Sequence, residues 1–107
     1  MLLFKPEHVA PILAGTKTQT RRIWARKHAN VGAIHLAKTK MLSKEYFAKL
    51  EILDVYQEDL LDISDEDAKA EGYLSRDEYL VAFCRINKLG LGDLDNLMVW
   101  VVRFRCK

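Results

Sequence analysis

The residues from Gly15 to Arg22, G-T-K-T-Q-T-R-R, form the densest set of reactive groups in the chain. Thr20 offers a hydroxyl that a base can activate as a nucleophile. Lys17 offers an amine that acts as a base once burial or a neighbouring cation depresses its pKa, and Arg21 and Arg22 are cations close by. If a strand begins at Thr18, then Thr18, Thr20 and Arg22 share one face, and Gln19, Arg21 and Ile23 share the other. Lys17 lies an odd number of residues from Thr20, so the two can meet only if Lys17 sits in the turn before that strand. Trp24, between Arg22 and Arg26, could stack a nucleobase or could equally close the strand as a rim or core residue. The plainer reading of the whole segment is a basic edge strand.

Other patterns carry less. Gly15-Thr16-Lys17-Thr18 resembles the end of a phosphate loop but lacks the Gly directly before Lys and the earlier Gly that the motif requires. Gly90-Leu91-Gly92 lacks the third glycine of a dinucleotide fingerprint, and Asp59–Asp67 lacks the spacing and central Gly of a calcium loop. His8, His28, His35, Cys84 and Cys106 show no paired ligand spacing, so neither a metal nor any other cofactor is expected. Cys84 reads as a core residue on the apolar side of a helix.

The elements that must position these groups can be read from periodicity and caps. Leu2-Leu3-Phe4 reads as a short buried strand. Residues 6–14 read as a short helix with Pro6 in its first turn and Gly15 just past its end. Strands are expected over residues 18–24, 31–36 and 47–56, with a basic loop or hairpin tip over 37–44. Ser64 caps an acidic helix ending at Glu71-Gly72, and Ser75 caps a second helix running to about Asn87. The last strand, Leu97 to Cys106, alternates: Val99, Val101, Arg103 and Arg105 face one way, and Met98, Trp100, Val102 and Phe104 the other.

The chain has 107 residues and a net charge of +2. That is one domain, residues 1–107. Half of the residues are hydrophobic and 30% are charged, which excludes a disordered or low-complexity chain. The longest apolar run, Leu97–Val102, is far short of the ~20 residues that cross a bilayer, so no membrane partner is expected. Two cysteines make no disulfide framework, and a cytoplasmic location follows as the expectation. The small net charge hides an asymmetry. Residues 1–50 carry ten Lys/Arg against two Asp/Glu, a net of +8, and residues 51–107 carry seven against 13, a net of −6. A basic half suits a polyanion such as RNA; equally, the two halves can pair with each other in the fold.

Taken together, Ile12-Leu13-Ala14-Gly15-Thr16-Lys17-Thr18-Gln19-Thr20-Arg21-Arg22 resembles the opening signature of the ASCH domain, a relative of the PUA RNA-binding domain. Ala68-Lys69-Ala70-Glu71-Gly72-Tyr73 followed by Ser75 is similar to that family's acidic helix. Met98-Val99-Trp100-Val101-Val102-Arg103-Phe104 is similar to its closing strand. The resemblance implies an α+β fold, a small PUA-like β-barrel of about five to six strands flanked by two to three helices. It also implies that the basic strand and the acidic helix face each other across a cleft. One branch of the family comprises amidohydrolases that remove acetyl from N4-acetylcytidine with a Lys, a Thr and a Glu, which map to Lys17, Thr20 and Glu71. On that mapping Thr20 attacks the acetyl carbonyl, Lys17 takes its proton, and Glu71 orients Lys17 or handles the leaving amine. Thr18, Arg21, Arg22 and Trp24 then contact substrate, with Arg22 or a backbone N–H on the oxyanion. Lys38, Lys40 and Lys44 suit an RNA backbone. The sequence departs from the family in Ala33, where many members have Asp after Gly. A non-catalytic RNA-binding module and a metal-independent ribonuclease are the rival functions.

Overall fold

The computed structural model describes residues 1–107. Five strands form one sheet in the order β1-β3-β4-β5-β2: β1 (Leu2–Leu3), β2 (Gln19–Arg22), β3 (Ile34–Lys38), β4 (Ala48–Asp59) and β5 (Met98–Cys106). Only β1 and β3 run parallel; the other three pairs are antiparallel. The sheet curls into a half-barrel whose free edges are β1 and β2. Part of the curl has a local cause. The β4–β5 register slips between Ile52 and Asp54, leaving Leu53 as an extra residue, and such a bulge bends and twists its strand.

Three α-helices complete the α+β fold: α1 (Val9–Ala14), α2 (Asp65–Ala70) and α3 (Arg76–Asn87). Both serine caps form as the sequence predicts: Ser64 accepts from the Asp67 N–H and Ser75 from the Glu78 N–H. Gly15 ends α1 in left-handed geometry at φ 80°. The alternation read in the last strand is what gives the domain two cores. Val99 and Val101 pack with Leu60, Ile63, Tyr79, Leu80 and Phe83 beneath α3. Val102 and Phe104, on the opposite face, pack with Leu2, Phe4, Ile12, Leu50 and Ile52 inside the curl.

Several expected boundaries move. Residues 6–14 are a 3₁₀ turn, Pro6–His8, leading into α1 rather than one continuous helix. The second strand stops at Arg22, so Trp24 lies beyond it. The third begins at Ile34 because Val31 and Gly32 form a turn, with Gly32 at φ 88°. The fourth runs on to Asp59, since β5 pairs with it along its whole far half.

Candidate functional site

The site begins with where Lys17 is placed. It precedes β2, in a connection held by two backbone bonds: the Lys17 N–H donates to the Pro11 carbonyl (3.1 Å) and the Thr18 N–H to the Ala70 carbonyl (2.7 Å). The second bond ties the start of β2 to the end of α2. Gly72, at φ 101°, lets the chain after α2 pass directly over Lys17: a Cβ there would lie 3.7 Å from Lys17 Cβ and Cδ. The Lys17 side chain is thereby sealed, only 2% exposed.

Lys17 Nζ donates to three oxygens: the Gln19 carbonyl (3.0 Å), the Glu71 carbonyl (2.8 Å) and Glu71 Oε1 (3.0 Å). Three acceptors match the three protons of an ammonium, so the resting group is charged. Burial nevertheless pushes its pKa below the usual lysine range, against the pull of the Glu71 carboxylate. Glu71 is also 2% exposed, and its other oxygen, Oε2, accepts from Arg21 Nη1 at 2.9 Å. One carboxylate thus serves two buried cations.

Arg21 completes the network behind the wall. Nη1 also donates to Gln19 Oε1 (2.8 Å), and Nη2 donates to Glu58 Oε1 (3.1 Å) and Asp67 Oδ2 (3.4 Å). Its side chain is fully buried, and Nε has no acceptor. Against a burial that opposes its charge, Glu71 and Glu58 hold its pKa above the ordinary value. Arg21 lines the cleft, and its terminal guanidinium nitrogens donate to protein acceptors, Glu71 among them. On one side the basic strand and the acidic helix pack in direct contact, through Gln19, Arg21, Asp67 and Glu71, so part of the charge asymmetry of the two chain halves cancels internally.

The cleft opens against this network, at the seam between the free edges β1 and β2, and has a volume of about 360 Å³. Lys17, Thr20, Arg21, Arg22 and Glu71 line it together. Thr20 and Arg22 share a strand face, as the spacing predicts, and Arg22 Nε donates to Thr20 Oγ1 at 2.8 Å. Thr20 Oγ1 makes no hydrogen bond to Lys17. Arg22 Nη2 reaches across the seam to the Leu3 carbonyl (2.7 Å), and the guanidinium lies over the Phe4 ring at 4.9 Å. Burial lowers its pKa.

Sequence reasoning missed the aromatic wall. His8, Tyr73, Tyr79 and Phe83 line the same cleft. His8 Nε2 and the Tyr73 hydroxyl are 2.9 Å apart, and their rings meet edge to face. Burial, then the Lys17 charge, holds the His8 imidazole down to about 4, so it is neutral at pH 7. Burial raises both tyrosine pKa values, keeping them neutral phenols. The available signal was the aromatic spacing Tyr73, Tyr79, Phe83 around the second cap, which reads equally well as a helix's core face.

Five of the expected ligand contacts lie outside the cleft. Thr18 lends its backbone to α2 and β5 instead. Trp24 packs against the core inside the curl and meets His28 edge to face at 5.2 Å. Lys40 and Lys44 are exposed on the β3–β4 hairpin tip. Lys38 Nζ donates to the Ser43 carbonyl of that same hairpin. No group of His, Cys, Asp and Glu side chains has the arrangement of a metal site. No helix is long and apolar enough to cross a membrane.

No protein-family model and no curated protein matches the chain. Solved structures do. An ASCH domain from Lactobacillus crispatus JV V101 superposes with a TM-score of 0.68 at 17% identity, covering 92% of this chain and 69% of its own. A protein of the DUF984 family model from Enterococcus faecalis V583 superposes with a TM-score of 0.66 at 14% identity, covering 99% of this chain and 81% of its own. Identities this low speak to architecture, and on that architecture the chain has the small, PUA-like ASCH-domain fold.

Proposed function

We propose that the seam cleft binds an N-acylated cytidine and hydrolyses its amide. The observation that carries this reading is the burial of Lys17 against Glu71 in a cleft that also presents the Thr20 hydroxyl. An RNA-backbone lysine would instead be exposed along an open groove. The aromatic wall supports a planar heteroaromatic ligand, and the cleft volume lies in the range of small-ligand sites.

The chemistry follows from the pairs. Burial already lowers the Lys17 pKa, and in the reactive form the proton passes 3.0 Å from Nζ to Oε1. Neutral Lys17 then has a lone pair with which to take the Thr20 proton as Oγ1 attacks the acyl carbon. The N–H of Arg22 on Oγ1 stabilises the developing alkoxide. The positive field of Lys17 and Arg22 stabilises the tetrahedral oxyanion. Glu71, now protonated, returns its proton towards the leaving exocyclic amine, and water releases the acyl group from Thr20.

The test is incubation of the full chain with N4-acetylcytidine, followed by chromatography for cytidine and acetate. Turnover by the parent, lost in Lys17→Ala and Glu71→Ala, is the expected result; no turnover by the parent overturns the reading for this substrate. The second reading, a non-catalytic RNA-binding module, is favoured by the exposed Lys40 and Lys44. It predicts RNA binding with a steep salt dependence that Lys40→Ala and Lys44→Ala weaken, and no turnover.

A further inference from the structure

The cleft holds more positive charge than a neutral nucleoside requires. Lys17 is neutralised by Glu71, and Arg21 by Glu71, Glu58 and Asp67. Arg22 and Lys5, which also line the cleft, form no ion pair. Arg22 is fixed by Thr20, the Leu3 carbonyl and the Phe4 ring, none of which carries a negative charge. Its Nη1 donates to no protein atom and is not sealed from solvent. A guanidinium sunk partly into a wall has lost hydration, and without an ion pair it recovers only the field of Glu71 in return. An anionic ligand group supplies a direct partner.

The groups beside Arg22 fit a phosphate. Lys5 follows the two residues that hold the guanidinium, and its side chain is exposed. The Phe4 N–H donates to the Lys38 carbonyl (2.8 Å), which brings Thr39, another cleft residue, alongside this segment. The free Nη1 of the guanidinium, an ammonium and a hydroxyl around one opening form a set suited to phosphate oxygens.

Resting on the acyl-cytidine reading, we propose that the natural ligand is phosphorylated: its base lies on the aromatic wall and its phosphate sits between Arg22 Nη1, Lys5 and Thr39. The phosphate belongs either to a free mononucleotide or to a residue within an RNA strand. In the strand form, Lys40 and Lys44 on the adjoining hairpin tip meet the neighbouring phosphates.

Calorimetric titration of the full chain with cytidine, cytidine 5′-monophosphate and a cytidine-centred trinucleotide reads this without any turnover. The monophosphate is expected to bind roughly tenfold or more tightly than cytidine, and the gap should narrow as salt rises and in Lys5→Gln. Arg22→Lys keeps the charge but loses the Nη1 donor that the Thr20 and Leu3 contacts hold in place, and should narrow it as well. Lys5 is exposed, so its variant preserves the test if the Arg22 variant does not fold. A trinucleotide that binds more tightly than the monophosphate identifies the strand form; equal affinity identifies the free nucleotide. Equal binding of cytidine and its monophosphate, an advantage that Lys5→Gln leaves intact, or no binding of either overturns the proposal. Hydrolysis of N4-acetylcytidine is scored separately. Turnover without a phosphate preference keeps the amidohydrolase and removes this inference; a phosphate preference without turnover does the reverse.

Discussion

Lys17 Nζ and Glu71 Oε1 lie 3.0 Å apart, both sealed from solvent, though 54 residues separate them in the chain. Arg21 takes the other oxygen of the same carboxylate. Breaking a buried pair leaves an uncompensated charge in a dry interior. Glu71→Ala leaves Lys17 without a counter-charge and removes one of the three carboxylate partners of Arg21, and it should cost about 3–5 kcal/mol in urea unfolding. Lys17→Met leaves Glu71 with Arg21 and should cost less. The double variant Lys17→Met, Glu71→Leu should cost less than the sum of the two singles. A Glu71→Ala protein as stable as the parent would refute the account of the network.

Thr20 separates fold from chemistry. Its Oγ1 accepts a single hydrogen bond, from Arg22 Nε. Thr20→Val keeps the shape and forfeits that bond, a loss of about 1–2 kcal/mol in unfolding. If Oγ1 is the nucleophile, turnover of N4-acetylcytidine should fall by several orders of magnitude in Thr20→Val and survive in part in Thr20→Ser. Comparable activity in the valine variant would remove Thr20 from the reaction.

The His8 imidazole is held down from 6.5 to about 4, by burial first and then by the Lys17 charge. In the folded chain it stays neutral where the unfolded chain's imidazole protonates. The unfolded state therefore binds more protons between these two values, and stability falls as pH drops through that window. The contribution is fully present above pH 6.5. Thermal midpoints taken across the window should decline less steeply in His8→Gln than in the parent. An imidazole that titrates by NMR at its ordinary value would contradict the prediction.

Gly72 joins backbone geometry to the site. At φ 101° it occupies a conformation that other residues adopt only under strain, although an added Cβ would meet the Lys17 carbons at an ordinary contact distance of 3.7 Å. Gly72→Ala should lower stability by about 1–3 kcal/mol and disturb the Lys17–Glu71 pair. The check is urea unfolding together with the turnover assay. An alanine variant with the parent's midpoint would show that the loop relaxes freely.

Local order was largely legible in the sequence. Ser64 and Ser75 cap because a side-chain oxygen meets an N–H three residues on, which is a property of spacing alone. Gly15 and Gly72 mark helix ends because few other residues tolerate a positive φ. The faces of the last strand followed from its period of two, and Thr20 and Arg22 met for the same reason. Lys17, Thr20 and Glu71 stood out by residue type and by family resemblance, and the fold brings all three to one cleft.

Which charges meet was decided only by the tertiary structure. Arg21 and Arg22 are adjacent in sequence, yet the pleat sends one into a carboxylate network and the other across the seam to β1. No local pattern encodes that β1 and β2 become opposite edges of a curled sheet, because strand order is set by non-local pairing. The same pairing placed Trp24 against the core and put Tyr73, Tyr79 and His8 in the cleft instead. The sequence by itself determined the elements, their ends and the inventory of reactive groups, since each of these depends on neighbours a few residues away. The fold alone decided which groups are buried, which are paired and which are left facing the ligand, since those depend on contacts between segments tens of residues apart.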